Sequence, residues 1–243
     1  MRVLFTNTTL ADLAVTELMI RDVACGLLQR GHEPMVFSPN LGCLAKEISA
    51  KGIEVVDDLQ RLQEVPEVIY GQHYMEAMMA IRFFPGIPAL FHCHGVVPWE
   101  EKPPVHPRIV MYLGTGDRSI ARIKSQIGDN NREVRVLYNY ADLRRFHALP
   151  GKPPPPFPTA VIYDRYLNQD QTSAIVEAAR KEGIACTPYA KLNPPVAEPE
   201  RILPQYDLVF AVGKSAIEAL ACGAVVITCS ASGLGELIDH ENI

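Results

Sequence analysis

The feature that most constrains this chain is an alternation: short apolar runs rich in β-branched residues, each followed by a longer segment with apolar residues at helical spacing. Strand-sized runs fall at residues 3–5, 35–37, 53–56, 68–70, 89–93, 109–113 and 134–137. Strands buried on both faces need such continuous runs, and parallel strands need a crossover helix between them. The pattern therefore predicts βα units around a parallel sheet. The clearest helix covers residues 15–30, where Met19, Val23 and Leu27 with Ile20, Ala24 and Leu28 form one apolar stripe and Gly31 supplies the stop. Residues 41–51, ended by Gly52, repeat the arrangement.

Proline then divides the chain. Of its 20 prolines, a dense group lies in 150–158, where missing N–H donors and fixed φ exclude helix and central strand, so a stiff linker is expected there. With 243 residues in all, two domains are expected, 1–149 and 159–243. The second reads as strand 160–163, helix 169–182 closed by Gly183, strand 184–187, a proline-rich stretch 188–204, strand 208–212, helix 215–222 stopped by Gly223, strand 225–228, and the start of a last helix at 234–238. That domain is small or incomplete. The expected fold class is α/β: two Rossmann-like parallel-sheet domains facing each other across a cleft.

Charge and hydropathy narrow the function. Lys plus Arg number 23 against 28 for Asp plus Glu, a net charge of -5, so no global positive field draws in nucleic acid. No apolar run approaches the roughly 18 residues of a membrane-spanning helix. The residues after Met1 also lack the apolar core of about 7–15 residues that a signal peptide needs, and a cytoplasmic location is expected. The six cysteines form no C-x-x-C pair and read as reduced thiols rather than a zinc or redox site.

In open α/β sheets ligands bind beyond the carboxyl ends of the strands, so the residues after each apolar run are the ones to inspect. In the segment 208–227 a strand turns through Gly213 into a helix whose first N–H groups suit an anion, and Lys214 adds charge. Ser215 and Glu218 also fit a capping box, which needs no ligand. A second small-residue turn, 230–236, contains Gly233, Leu234, Gly235 and Glu236. His92 and His94 alternate onto one face of their strand, but no third ligand accompanies them, so no metal is expected. His73 reads equally as a site residue or a helix start. Trp99 lies in a long loop that suits either acceptor binding or lid-like packing. Between Arg118 and Arg145 the basic residues outnumber the acidic ones, which fits a peripheral contact with anionic lipid or a solvated face.

Several segments together resemble the GT-B glycosyltransferases, in particular the retaining family 4 group. Arg2-Val3-Leu4-Phe5, the helix end Leu27-Leu28-Gln29-Arg30-Gly31-His32-Glu33 and Val36-Phe37-Ser38 are similar to that family's first βαβ unit. His92-Cys93-His94-Gly95 resembles its strand-terminal histidine motif, and Asn139-Tyr140-Ala141-Asp142 with Phe146 its Asn-Gly-Val-Asp segment. Residues 218–227 resemble its nucleotide-binding signature, and Gly233-Leu234-Gly235-Glu236 its donor-sugar loop. The resemblance implies an enzyme moving a sugar from a nucleoside-diphosphate donor to a hydroxyl of a carbohydrate or lipid-linked acceptor, with retention and without metal or cofactor, in polysaccharide or glycolipid synthesis. The first domain would take the acceptor and the second the donor. His94 would be a catalytic positioning group and Glu218 would hold the ribose. Lys214, Ser215, Gly213 and Arg165 would meet the diphosphate, and Gly233 to Glu236 the sugar. The chain departs from the family at Phe210, where the first of its paired glutamates stands, at Asp170 in place of a lysine, and in a first loop, residues 13–17, without glycine. A degenerate GT-B protein that binds nucleotide or partner without transfer, and a nucleotide-sugar epimerase, are the alternatives.

Overall fold

In the computed structural model the alternating runs of the first half form a seven-stranded, all-parallel sheet. The structure describes residues 1–11, 15–96, 98–128, 131–149, 158–164, 167–189, 192, 198–230 and 233–242. The chain divides into two units, Met1–Tyr138 and Asn139–Ile243. In the first, β1 (Arg2–Thr6), β2 (Thr9–Leu10), α1 (Val15–Leu28), β3 (Glu33–Phe37), β4 (Asn40–Leu41), α2 (Cys43–Ala50), β5 (Glu54–Val56), β6 (Val68–Gly71), α3 (Tyr74–Phe83), β7 (Ala89–Cys93), β8 (Ile109–Gly114), α4 (Asp117–Ile127) and β9 (Glu133–Val136) follow in order. The sheet runs β5-β3-β1-β6-β7-β8-β9, while β2 and β4 form a small separate pair. The strand order reverses between β1 and β6, the position at which open α/β sheets leave a crevice.

Each face of this sheet has its own core. Val3, Phe5, Val36 and Tyr70 pack with Ile20 and Ala24 of α1 and Leu44 and Ile48 of α2. Leu4, Met35, Ile69 and Phe91 pack on the other face with Ala77 and Ile81 of α3 and Ile123 of α4. Strand residues alternate between the two cores because successive side chains point to opposite faces.

The second unit holds β10 (Thr159–Ile162), α5 (Gln169–Lys181), β11 (Ala185–Thr187), the short α6 (Pro199–Ile202), β12 (Leu208–Ala211), α7 (Lys214–Ala221), β13 (Val225–Ser230) and β14 (Gly233–Leu237). Its sheet runs β11-β10-β12-β13-β14. The first three pairings are parallel and β13–β14 is antiparallel. The helix expected at 234–238 is thus an edge strand. Two glycines within 233–237 disfavour a helix, and Gly233, at φ 125°, starts a return alongside β13 that no L side chain readily makes. Gly235 lies so close to β13 that an added Cβ would fall 2.1 Å from Thr228 Oγ1.

The division between units precedes the proline-rich run, whose residues 150–157 lie outside those described. Phe146, 1 % exposed, packs in the second unit's core with Val161, Leu203 and Val209. Arg145 pairs with Glu200 at 2.9 Å. Residues 139–149 therefore belong with the second sheet, because their apolar and charged partners lie there.

Gly71 closes β6, where a Cβ would meet Ala77 Cβ at 2.9 Å and Leu90 O at 3.2 Å. Gly71→Ala should lose about 1–3 kcal/mol of stability through overpacking, read as a lower urea midpoint. An unchanged midpoint would mean that α3 can move aside.

Candidate functional site

At the carboxyl edge of the first sheet, polar residues follow the apolar runs of three adjacent strands. Phe5 pairs with Tyr70, so Asn7 stands opposite Gln72 two residues beyond the last paired residues. Gly71 pairs with Phe91, which puts Gln72 opposite His92. Asn7 and Gln72 are completely buried and His92 nearly so. The His92 Nδ1 shares a 2.6 Å hydrogen bond with the Tyr70 hydroxyl. The backbone here is tied down: Thr6 Oγ1 donates to Gln72 O at 3.0 Å and accepts from Gln72 N at 3.1 Å. His94 follows β7, its ring centroid 3.9 Å from that of His92.

Six side-chain atoms of this edge, on four residues, lack hydrogen-bond partners among the described residues and are shut off from solvent. They are Asn7 Nδ2, both amide atoms of Gln72, His92 Nε2 and both ring nitrogens of His94. Buried polar atoms are nearly always satisfied in folded proteins, so such a concentration marks a place built for something else. Burial lowers the His92 pKa from 6.5 to about 3. Burial, reinforced by His92 and His73, holds that of His94 well below the usual histidine range. Both rings are neutral at physiological pH.

His73 begins α3 at a positive φ of 60°, a strained backbone for a residue with a side chain. Its Nδ1 lies 2.8 Å from Thr8 Oγ1, and that hydroxyl donates to Glu76 Oε2 at 2.9 Å. It is both helix start and rim residue. The segment after β7 is braced by Glu101, which accepts from Gly95 N, and by Arg122, which donates to Gly95 O and Pro98 O. Trp99 is 60 % exposed on that segment, so it is not a packed lid residue. Arg122, Arg135, Arg144 and Arg145 of the basic stretch are spent on backbone carbonyls or carboxylates.

In the second unit the turn expected after β12 is present, with different local chemistry. Gly213, at φ 61°, is the N-cap, and α7 begins at Lys214. Ser215 is therefore inside the first turn and the capping box is not formed. Glu218 turns instead to Lys214, whose Nζ lies 3.1 Å from its Oε1. The lysine is 2 % exposed, donates to Tyr140 O at 3.1 Å and sits 5.0 Å from the Tyr140 ring centre. The expected free cation for a diphosphate is thus the counter-ion of a buried carboxylate. The reason is spacing, because residues four apart on a helix are neighbours. Phe210 is buried in the sheet core. Gly233, Leu234, Gly235 and Glu236 lie on β14 rather than in a loop, and Arg165 lies outside the described residues.

Among the described residues no group of three His, Cys, Asp or Glu could hold a metal ion, and no helix is long and apolar enough to cross a membrane. Sequence reasoning missed Asn7, Gln72 and the Thr8–Glu76 contact. The rule that pointed to His94, inspection of the residue after each strand, also covers Asn7 and Gln72, but uncharged amides carry no motif.

No protein-family model matches the chain, and no curated protein matches it in sequence. Its fold does have solved counterparts, and it is that of the GT-B glycosyltransferases. HepE from Anabaena, in complex with UDP and glucose, superposes with a TM-score of 0.67 at 13 % identity, covering 94 % of this chain and 80 % of that one. The lipopolysaccharide outer core galactosyltransferase WaaB follows with a TM-score of 0.59 at 12 % identity, covering 94 % and 80 %. An α-glucosyltransferase in complex with UDP and a 13-mer DNA has a TM-score of 0.51 at 10 % identity, covering 94 % and 79 %.

Two outcomes follow from the charges. The unfolded His92 takes up a proton below about pH 6.5 while the folded one does so only near 3, so stability falls as pH drops through that window. The limiting slope is about 1.4 kcal/mol per pH unit. His92→Gln should flatten the fall in urea unfolding between pH 7 and 5; an equal slope in both proteins would place the titration elsewhere. Lys214→Met strips a buried carboxylate of its counter-ion and should cost about 3–5 kcal/mol, whereas Lys214→Met with Glu218→Leu should recover much of it. A double variant less stable than the single would refute the pairing.

Proposed function

We propose that the protein is a glycosyltransferase that moves a sugar from a nucleoside-diphosphate donor to an acceptor hydroxyl, with retention, in polysaccharide or glycolipid synthesis. The observation that carries this reading is the fold shared over 94 % of the chain with HepE, a structure that holds UDP and glucose. The polar edge of the first sheet supports it, because it offers uncharged hydrogen-bonding groups to a sugar. In this reading the second unit takes the donor. The N–H groups at the start of α7, which has no side-chain cap, donate to the diphosphate, and the helix dipole offsets its charge. The Glu218 carboxylate, fixed by Lys214, accepts hydrogen bonds from the ribose hydroxyls. Ser215 and Arg165 complete the phosphate side and Gly233 to Glu236 the sugar side. His94, neutral, positions a hydroxyl rather than supplying charge. A carbohydrate or lipid-linked molecule is the acceptor, no cofactor takes part, and the protein works in the cytoplasm.

Phe210 in the core and the commitment of the Lys214 ammonium to Glu218 favour a second reading, nucleotide binding without transfer. Donor hydrolysis across UDP-, GDP- and ADP-sugars, with calorimetric binding of the free nucleotides, separates the two. Turnover of one donor is expected, with Glu218→Gln weakening nucleotide binding by about 1.5–3 kcal/mol, the range for hydrogen bonds to a charged group. Binding without turnover would leave the non-catalytic reading, and no binding would end both.

A further inference from the structure

The unsatisfied groups at the first sheet's carboxyl edge have a common chemical character. Asn7 contributes a free amide donor, its Oδ1 already accepting from Thr9 N at 3.4 Å. Gln72 contributes donors and an acceptor, and His92 and His94 contribute ring nitrogens that can serve either way. Asn7, Gln72 and His92 stand in one row across β1, β6 and β7, where the strand order reverses, and His94 follows two residues beyond His92 with its ring against the His92 ring. Neither the row nor its neighbours Thr6, Thr8, Tyr70, His73 and Glu76 include a lysine or arginine.

A phosphate or carboxylate offers only acceptors. It would meet the Gln72 carbonyl oxygen lone pair to lone pair, with neutral imidazoles and no lysine or arginine among these residues to offset its charge. A hydroxyl both donates and accepts, so a set of hydroxyls satisfies every orphaned group at once. We propose that this row is a binding site for a neutral, hydroxyl-rich sugar, and that it selects an uncharged glycosyl acceptor against uronic acids and sugar phosphates. The proposal rests on the transferase reading for its place in a reaction and deepens it by naming the acceptor class. Gln72 is the residue that sets the selection, because its fully buried amide presents an unsatisfied donor and an unsatisfied acceptor whose roles no tautomer can exchange.

Saturation-transfer NMR with methyl glucoside, methyl galactoside and methyl mannoside, against methyl glucuronide and glucose 6-phosphate, tests it on the full chain. At least one neutral glycoside should give a signal, with the two anionic sugars giving none. Gln72→Leu should weaken the neutral sugar at least tenfold. That variant should melt no lower than the wild type, because a merely structural amide would be missed by the fold whereas an orphaned one costs it stability. His94→Gln should also weaken the sugar and guards against a folding defect in the first variant. Equal binding of anionic and neutral sugars, no signal from any neutral glycoside, or undiminished affinity in both variants would overturn the proposal. Nucleotide calorimetry keeps the two readings apart. Gln72-dependent sugar binding without nucleotide binding removes the transferase and leaves the sugar site, whereas nucleotide turnover without sugar selectivity does the reverse.

Discussion

Parallel strands cannot be joined by tight turns. Each must be followed by a crossover, so every strand of the first sheet begins at one edge and ends at the other. That constraint gathers the residues after the strands into one place although they are far apart in sequence. Thr6-Asn7-Thr8, Gln72-His73 and His92-Cys93-His94 meet because β1, β6 and β7 are neighbours in register. The two apolar cores beneath them hold the strands level, and the reversal of order between β1 and β6 opens the edge. Buried, unsatisfied amides and imidazoles persist there only because the surrounding packing over-determines their position.

The second unit repeats the parallel strand-and-helix plan, apart from its antiparallel β14, with different electrostatics. Its strand-to-helix turn at Gly213 carries a fully buried ion pair, Lys214 with Glu218, backed by the Tyr140 carbonyl and ring. One sheet thus ends in neutral hydrogen-bonding groups and the other in a charged pair at a helix start.

Much of this was legible from periodicity alone. The strand and helix runs of the first unit, and those from residue 160 to 228, fall where apolar spacing puts them, because burial on both faces writes itself into the sequence as continuous β-branched runs. The end of the chain was not legible in this way. Residues 234–238 are apolar enough for a helix, yet 233–237 form β14 because the glycines permit a close return against Thr228. The surroundings of Lys214 were hidden for a related reason. Its charge points to solvent or a phosphate, and only the fold shows that its position one turn before Glu218 on a buried helix face brings the carboxylate and the Tyr140 carbonyl each within 3.1 Å.

By itself the sequence determined the α/β class, the parallel order implied by crossovers, the presence of two units, and His94, Gly213 and Glu218 as residues after strands or at a helix start. Only the tertiary structure decided which strand ends are neighbours, that Phe146 and its flanking residues pack with the second sheet, and that Asn7, Gln72, His92 and His94 share one edge with six of their polar atoms unpaired. The physical reason is that hydrophobic periodicity is a local property of the chain. Register, burial of a single amide, and the partner of a single charge depend on segments that meet only once the sheet has formed.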